Sequence, residues 1–433
     1  MQLSTEQQYA LELFKDRKNI FISGPGGTGK SALINNIYDY TNKYRNIKIC
    51  AMTGFAATQI NNQATTLHSW AGIGIGNGDI DNLLKKIRRL SNKKDNWLSA
   101  DILIVDEVSQ MSKRLFDILN KIGQSIRKNK LPFGGIQLVF VGDFYQLPPI
   151  GNENDIDSSK YCFESEEWFN IFPIQNSIIL QQIFRQSDKQ FCKILNQIRE
   201  GKISKKSLEI LKSYINRQNE DNNLIIPTKL FPTRRQVDSI NELELNKIND
   251  ESMCYEMIYI LDNQMEKEEC MKSLNYLCKN IPVPQKIYLK KGSQVMNIIN
   301  METGRGNKLV NGSRGIIIGF QTETRYPIVK FNEGFEETIK PYNWVHDTNQ
   351  NMAVSQLPII LAWALTIHKS QGSTLDTAEM NIGNDIFEVG QTYVALSRVK
   401  TLNGLYLNAF DPSKIKINKK VIDFYSKFKV SFS

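Results

Sequence analysis

The chain has 433 residues, 41% hydrophobic and 23% charged, with 26 glycines and 13 prolines; at roughly 150 residues per domain this makes about three globular units, and excludes a peptide-sized or mostly disordered protein. Its best apolar run, Ile359 to Leu365, is far below the roughly 20 residues that cross a bilayer, and Met1 to Lys18 carries two glutamates, an aspartate and several Gln, Ser and Thr residues where a signal peptide needs an apolar block. Lys plus Arg number 54 against 45 Asp plus Glu, net +9, and because Glu242 to Glu269 holds nine acidic and two basic residues the remainder is more basic than the average, a distribution that suits either a phosphate-rich partner or simple solubility.

The first predicted element is a short apolar strand within Asn19 to Ser23, followed at once by Gly24-Pro25-Gly26-Gly27-Thr28-Gly29-Lys30-Ser31. A helix follows, with Leu33, Ile34, Ile37 and Tyr38 on one face. Strand, glycine loop and helix are the context in which a G-x-x-x-x-G-K-S string binds a nucleoside polyphosphate. The glycines let backbone N–H groups converge on phosphate, Lys30 neutralises the β- and γ-oxygens, and Ser31 offers a hydroxyl to Mg²⁺. The basic run Lys85 to Lys94 reads as a solvated helix face.

A second strand, Ile102 to Val105, ends in Asp106-Glu107. Two carboxylates at a strand tip suit metal holding by Asp106 and polarisation of an attacking water by Glu107. A third strand, Gln137 to Val141, enters Gly142-Asp143-Phe144-Tyr145-Gln146-Leu147-Pro148-Pro149. That loop sits at the carboxyl end of a parallel strand, where α/β sheets place ligands, so Gln146 is a candidate γ-phosphate sensor.

In the second half, residues 292–351 are rich in β-branched and turn residues and read as a small β-barrel insert. The strand Ile359 to Leu365 then leads into Thr366-Ile367-His368-Lys369-Ser370-Gln371-Gly372, and later comes Gln391-Thr-Tyr-Val-Ala-Leu-Ser-Arg398. Of three histidines, His68 and His368 lie beside candidate loops with no third ligand nearby. Hydrogen bonding to phosphate or backbone is therefore the reading, rather than a metal site. Six cysteines form no C-x-x-C pair, which fits a reducing compartment and gives neither a zinc site nor a disulfide framework.

Taken together these segments resemble superfamily 1B helicases of the Pif-one family. The resemblance runs through Leu3 to Gln7, Gly24 to Ser31, Thr53 to Ala57, Leu67 to Gly74, Asp106 to Ser109, Ile126 to Gln137 and Gly142 to Pro149. It continues through Phe184-Arg185-Gln186, Leu230 to Arg235, Thr366 to Gly372 and Gln391 to Arg398. It implies an α/β fold of two RecA-like P-loop NTPase domains, parallel sheets with helices on both faces. The first spans 1–177 with a small wedge insert near 59–79; the second spans 178–291 and 352–433, with the SH3-like β-barrel insert at 292–351.

The resemblance also implies the chemistry. Gln7 reads adenine; Gly24, Gly26, Gly27, Thr28, Gly29, Lys30, Ser31, Asp106, Glu107 and Gln146 bind and hydrolyse ATP, with Mg²⁺ on Ser31 and Asp106. Arg185 and Arg398 reach the γ-phosphate from the second motor domain. Thr53, Phe55, His68, Thr366, His368 and Lys369 contact single-stranded DNA, with Phe55 or Trp70 available for base stacking and Trp70 equally a candidate for the core. The implied activity is 5′-to-3′ translocation on single strands and unwinding at single-strand/duplex junctions. G-quadruplexes and RNA–DNA hybrids are further substrates, and the work belongs to replication, repair, recombination or telomere maintenance. The expected protein is a monomer, intracellular and off the membrane, in a nucleus, mitochondrion or viral replication site. A RecD-like motor, or a DNA-stimulated ATPase that unwinds weakly, is the alternative.

Overall fold

The strands expected at Ile20, Ile102 and Gln137 lie in one parallel sheet. The computed structural model describes residues 3–60, 64–74, 76, 78–152, 155–186, 188–217, 226–281, 283–302, 306, 308–332, 334–346 and 349–428. By compactness the chain forms two units: Met1–Leu211 with Ile386–Leu402 and Asp411–Ser433, and Lys212–Asp385 with Asn403–Phe410.

The first unit is built on β1 (Ile20–Ser23), β2 (Ile47–Ala51), β3 (Thr65–Thr66), β4 (Ile102–Asp106), β5 (Gln137–Gly142) and β6 (Ser177–Ile179). Their order is β3-β2-β4-β5-β1-β6, and every pairing is parallel. Alternation along each strand feeds two cores. Phe21, Leu103, Val105, Leu138 and Phe140 join the aromatic-rich core on one face; Ile20, Ile22, Ile102, Ile104, Val139 and Val141 join the aliphatic core on the other. Strands buried on both faces must be apolar throughout, which is why they read as short uninterrupted runs.

Helices α1 (Thr5–Lys15), α2 (Lys30–Thr41) and α3 (Gly54–Ile60) belong with the aliphatic core. Helices α4 (Leu67–Ala71), α5 (Ile80–Arg89), α6 (Ser91–Ser99), α7 (Lys113–Arg127) and α8 (Trp168–Ile171) supply the aromatic one. Next come α9 (Lys189–Arg199) and α10 (Lys205–Ser213), and near the C-terminus α14 (Gln391–Leu396) and α15 (Lys419–Ser426). The basic run does present Lys85, Lys86 and Lys94 to solvent, but Lys93 is buried, its stem against Gly72.

In the first unit the expected boundaries change and the place of Trp70 is decided. The boundary at 177/178 falls inside a strand: β6 pairs with β1, so the chain stays with the first sheet up to about Leu211. The C-terminal helix α15 also belongs to this unit, because Phe424, Tyr425 and Phe428 fill its aromatic core. Within the 59–79 excursion, residues 61–63, 75 and 77 lie outside the described residues; of the rest, Leu67, Trp70 and Ala71 are core, and Trp70 packs on Trp97 at 4.6 Å. Trp70 is thus a packing residue, not a stacking platform for bases.

The second unit carries a four-stranded parallel sheet, β20-β7-β21-β22, from β7 (Thr228–Phe231), β20 (Ala364–Thr366), β21 (Ala378–Ile382) and β22 (Leu405–Phe410). Helices α11 (Arg234–Lys247), α12 (Lys267–Asn280) and α13 (Ile367–Ser370) belong to it. Its insert is a five-stranded antiparallel sheet, β16-β15-β14-β11-β19, made of β11 (Gln294–Asn297), β14 (Arg314–Phe320), β15 (Pro327–Phe331), β16 (Glu336–Thr338) and β19 (Ile359–Leu361) around its own core. Smaller sheets pair β8 (Met253–Glu256) with β10 (Lys286–Leu289), β12 (Met301–Glu302) with β13 (Lys308–Leu309), and β18 (Asn349–Gln356) with β9 (Ile258–Ile260) and β17 (Tyr342–His346).

The insert therefore reaches past residue 351, and Ile359 to Leu365 is not one strand. Ile359–Leu361 pairs with β11 of the insert, whereas Ala364–Thr366 pairs with β7 of the parallel sheet. The chain changes sheets at Ala362, whose N–H donates to Gln294 O and whose carbonyl accepts from Thr228 Oγ1.

Candidate nucleotide site and nucleic-acid loops

Helix α2 begins directly on the glycine loop. Its N-cap, Gly29, has φ of 78° and makes no side-chain cap bond, so the first N–H groups keep their positive end for an anion. Lys30 Nζ folds back onto the carbonyls of Gly24 and Pro25, at 2.8 and 2.9 Å. Burial lowers its pKa, while Asp143, Glu107 and Asp106 pull it the other way.

The glycines are required by what approaches them. A Cβ on Gly24 would lie 2.6 Å from the Leu180 carbonyl, on Gly27 2.5 Å from Arg185 Cβ, and on Gly29 2.8 Å from Gln7 Nε2. Gly27 and Gly29 also have positive φ, 85° and 78°, so any other residue is strained there as well as crowded. Gln7 is buried, caps α1 reciprocally with Ser4, and donates to Thr28 O at 3.2 Å. The half-exposed Phe184 ring stands beside Gly29, 3.6 Å from where a Cβ would be.

At the tip of β4 the Asp106 carboxyl is buried and accepts from Glu107 N–H at 2.8 Å. Burial, reinforced by the Glu107 charge, pushes its pKa up to about 7. Glu107 itself sits in the left-handed region, φ 56°, a conformation that costs a non-glycine residue on the order of 1–3 kcal/mol and recurs at functional sites. Its charge acts on Lys30, Arg185 and Arg398. Gln146 is buried in the loop after β5, its N–H bonded to Asp143 O.

Both expected arginines lie against the glycine loop, and both belong to the same compact unit as that loop. This differs from delivery by a separate domain: Phe184 and Arg185 N–H bond to Gly27 O, drawing their segment onto the loop. Arg185 Nη1 donates to Ser397 O. Arg398 is 2% exposed, bonded through Nε to Val394 O and through Nη2 to Ser397 Oγ, and its Nη2 lies 3.7 Å from where a Gly26 Cβ would be. Burial, with Arg185 adding to it, brings the Arg398 pKa down to about 9. Two guanidiniums desolvated side by side constitute a site for an anion.

Beneath this cluster lies a network that sequence motifs did not single out. Asp143 is fully buried and is clasped by Arg199 of α9, Nε to Oδ2 at 2.9 Å and Nη2 to Oδ1 at 2.8 Å. The Arg199 guanidinium lies 4.4 Å from the Tyr145 ring and 5.5 Å from that of Tyr425, and the two rings stack 4.8 Å apart. Burial opposes the Arg199 charge, but Asp143 more than restores it, leaving its pKa raised. The Tyr425 hydroxyl meets Ser23 Oγ at 2.6 Å and accepts from Phe144 N–H. One arginine and one tyrosine thus tie the root of the glycine loop, the Gln146 loop and the C-terminal helix together.

The residues expected at DNA lie at or just beyond the carboxyl ends of parallel strands, most of them in the short helices that follow. Thr53 is exposed and opens α3, accepting from Ala56 N–H. Phe55 lies in that helix, its side chain outside the described residues. His68 is half-buried on α4, and burial lowers its pKa. In the second unit Thr366 caps α13 by accepting from Lys369 N–H; His368 is half-buried and Lys369 exposed. Partial burial and nearby Arg234 lower the Lys369 pKa.

The two units repeat one local device. Thr66-Leu67-His68 and Thr366-Ile367-His368 each leave a strand, cap a short helix through the threonine hydroxyl, and are followed by left-handed Gly72 and Gly372, φ 73° and 83°. The T-x-H-x-x-x-G repeat that aligns Thr66 with Thr366 is legible in the sequence.

Loops that expose backbone N–H groups, acids that demand a cation and arginines that demand an anion make sense together only around a polyphosphate, and the sheet beneath them is that of a RecA-like P-loop NTPase. Known proteins narrow this class. The family described as PIF1-like helicase matches residues 2–209, and the DNA helicase Pif1 2B domain matches residues 272–320. The ATP-dependent DNA helicase PIF1 of Xenopus laevis is 37% identical over 98% of this chain and 64% of its own length. The crystal structure of the Pif1 helicase from Candida albicans superposes with a TM-score of 0.82 at 34% identity, covering 99% of both chains. That of the Bacteroides Pif1 helicase in complex with ADP-AlF3 and ssDNA gives 0.71 at 26% identity, covering 100% of this chain and 98% of that one. The chain belongs to the PIF1-like helicase family. It spans 62–67% of the length of the first curated relatives it matches.

Proposed function

We propose that the protein is an ATP-driven motor that moves 5′ to 3′ along single-stranded DNA and separates duplex at single-strand/duplex junctions. The observation that carries the reading is the approach of Arg185 and Arg398 to the glycine loop, close enough that Gly27 has no room for a Cβ. Gln7 and Phe184 frame the base, and the loop N–H groups with Lys30 hold the β- and γ-phosphates. Glu107 takes the proton of the attacking water and Gln146 orients it. The arginines stabilise charge that spreads over the departing phosphoryl group, an interaction stronger in the transition state than in bound ATP.

The acceptors at the loop are hard oxygens, the Ser31 hydroxyl and the Asp106 carboxylate. Asp106 is buried with its ionisation opposed by Glu107, which fits a divalent cation as its counter-charge. Ser31 and Asp106 would hold Mg²⁺, which when bound neutralises phosphate charge. Hydrolysis relaxes the grip of the arginine segments on the loop, and loops at Thr53, His68, Thr366, His368 and Lys369 pass the strand along chiefly through its phosphates. The 5′-to-3′ direction follows from the resemblance of the motifs Gly24 to Ser31, Ile126 to Gln137 and Gln391 to Arg398 to the Pif-one family. G-quadruplexes and RNA–DNA hybrids are further proposed substrates, and an intracellular monomer is the proposed form.

The test is ATPase activity with and without single-stranded DNA, together with strand displacement from duplexes carrying a 5′ or a 3′ tail. DNA-stimulated hydrolysis that Lys30→Ala abolishes, with unwinding from the 5′ tail, is expected. Hydrolysis indifferent to DNA, or undiminished in Lys30→Ala, overturns the reading.

A further inference from the structure

Tyr393 lies inside the last motif, between the residues it shares with the family and the arginine that motif supplies, yet its contacts give it a task of its own. It is 2% exposed, and its hydroxyl accepts from Gly26 N–H at 2.9 Å. Gly26 is the loop glycine that faces Ser397 and Arg398: a Cβ there would lie 3.6 Å from Ser397 Oγ and 3.7 Å from Arg398 Nη2. The backbone carbonyl of the same tyrosine accepts from Ser397 N–H at 2.9 Å. Ser397 in turn receives both guanidiniums, Arg398 Nη2 on its hydroxyl at 2.7 Å and Arg185 Nη1 on its carbonyl at 3.3 Å. The chain of contacts therefore runs from glycine loop to phenol, from phenol backbone to serine, and from serine to both arginines.

We propose that Tyr393 is a positioning residue for ATP hydrolysis, its hydroxyl latching α14 to the glycine loop so that Arg398 and Arg185 are held at the terminal phosphate. The inference rests on the ATPase reading above and adds to it a residue that acts through others. Three further facts agree. The start of α14 is docked independently, since a Cβ on Gly390 would lie 2.7 Å from Gln146 O, so the helix has fixed points at the sensor loop and at the phosphate loop. A hydrogen bond between a backbone amide and a buried hydroxyl is directional and disappears with one atom. Burial, followed by the charge of Asp143, holds the phenol well above its usual ionisation, so the latch is neutral across the working pH range and exerts no charge on phosphate itself.

The test is Tyr393→Phe in steady-state ATPase assays with saturating single-stranded DNA, alone and combined with Arg398→Ala, plus the affinity for a fluorescent ATP analogue. Tyr393→Phe is expected to lower kcat roughly tenfold with KM and analogue affinity within about twofold, the signature of an interaction realised in the transition state. In the Arg398→Ala background the same change should alter the residual rate less than about twofold, because the arginine it positions is gone. An unchanged kcat, a defect confined to KM, or losses that multiply in the double variant overturn the proposal. Should Tyr393→Phe not fold, Ser397→Ala cuts the next link and must give the same non-additivity with Arg398→Ala. If the parent protein shows no hydrolysis that Lys30→Ala removes, it is the ATPase reading that fails, not the latch.

Discussion

Arg199 holds Asp143 by two parallel N–H···O bonds, 2.9 and 2.8 Å, in a site where the carboxylate is fully buried. Such a pair is worth less than its loss costs, because removing one partner strands the other charge in the interior. Arg199→Ala should therefore destabilise the protein by about 3–5 kcal/mol, read as a lower midpoint in urea. Combining it with Asp143→Asn should cost less than the two changes added, and Arg199→Lys should recover only part of the loss, since an ammonium cannot make the two-pronged contact. Additive losses would mean the pair is not coupled.

Gly26 and Gly27 are neighbours with different tolerances. A methyl on Gly27 would stand 2.5 Å from Arg185 Cβ at a backbone φ of 85°, whereas one on Gly26 meets ordinary contacts of 3.6–3.7 Å. Gly27→Ala should displace the Arg185 segment and cut hydrolysis far more than Gly26→Ala does, in parallel ATPase titrations. Equal effects would show that the close approach of Arg185 does not matter to turnover.

Glu107→Gln keeps the shape of the site and removes the base. ATP analogue binding should persist while single-turnover hydrolysis falls by roughly 10²–10⁴, the usual share of a general base. Retained hydrolysis would reassign the water-activating role.

His68 and Lys369 should separate in a salt titration of single-stranded DNA binding. Burial lowers the His68 pKa, so it is neutral at pH 7.5, takes up a proton only as pH falls below its ordinary value, and contributes a hydrogen bond rather than a charge. Lys369→Ala should reduce the slope of log affinity against log salt by about 0.7, one phosphate's worth on a single strand; His68→Gln should weaken binding without changing that slope at pH 7.5. A shallower slope for His68→Gln would place a charge on that ring.

Much of the site was legible because its chemistry is local. Gly24 to Ser31 carries in eight consecutive residues the conformations and side chains of a phosphate loop, and Asp106-Glu107 needs only the apolar strand before it. Arg199 and Tyr425 carried no such signal: each is an ordinary helix residue until packing sets it beside Asp143 and Ser23. The same limit explains the misread strand at Ile359 to Leu365, where one apolar run serves two sheets, and why only packing decides Trp70, whose ring lies tilted against Trp97 in the core.

By itself the amino-acid order pointed to a polyphosphate site and to the loop that would form it, since backbone N–H groups aimed by glycines and a following helix depend on neighbours in the chain. Folding decided which distant groups complete that pocket. Arg185, Ser397 and Arg398 reach Gly26 and Gly27 from segments far along the chain, and β6 and α15 join the first sheet against the expected boundary. Those choices are made by burial and close packing between remote segments, which depend on shape in three dimensions and leave no periodicity in one.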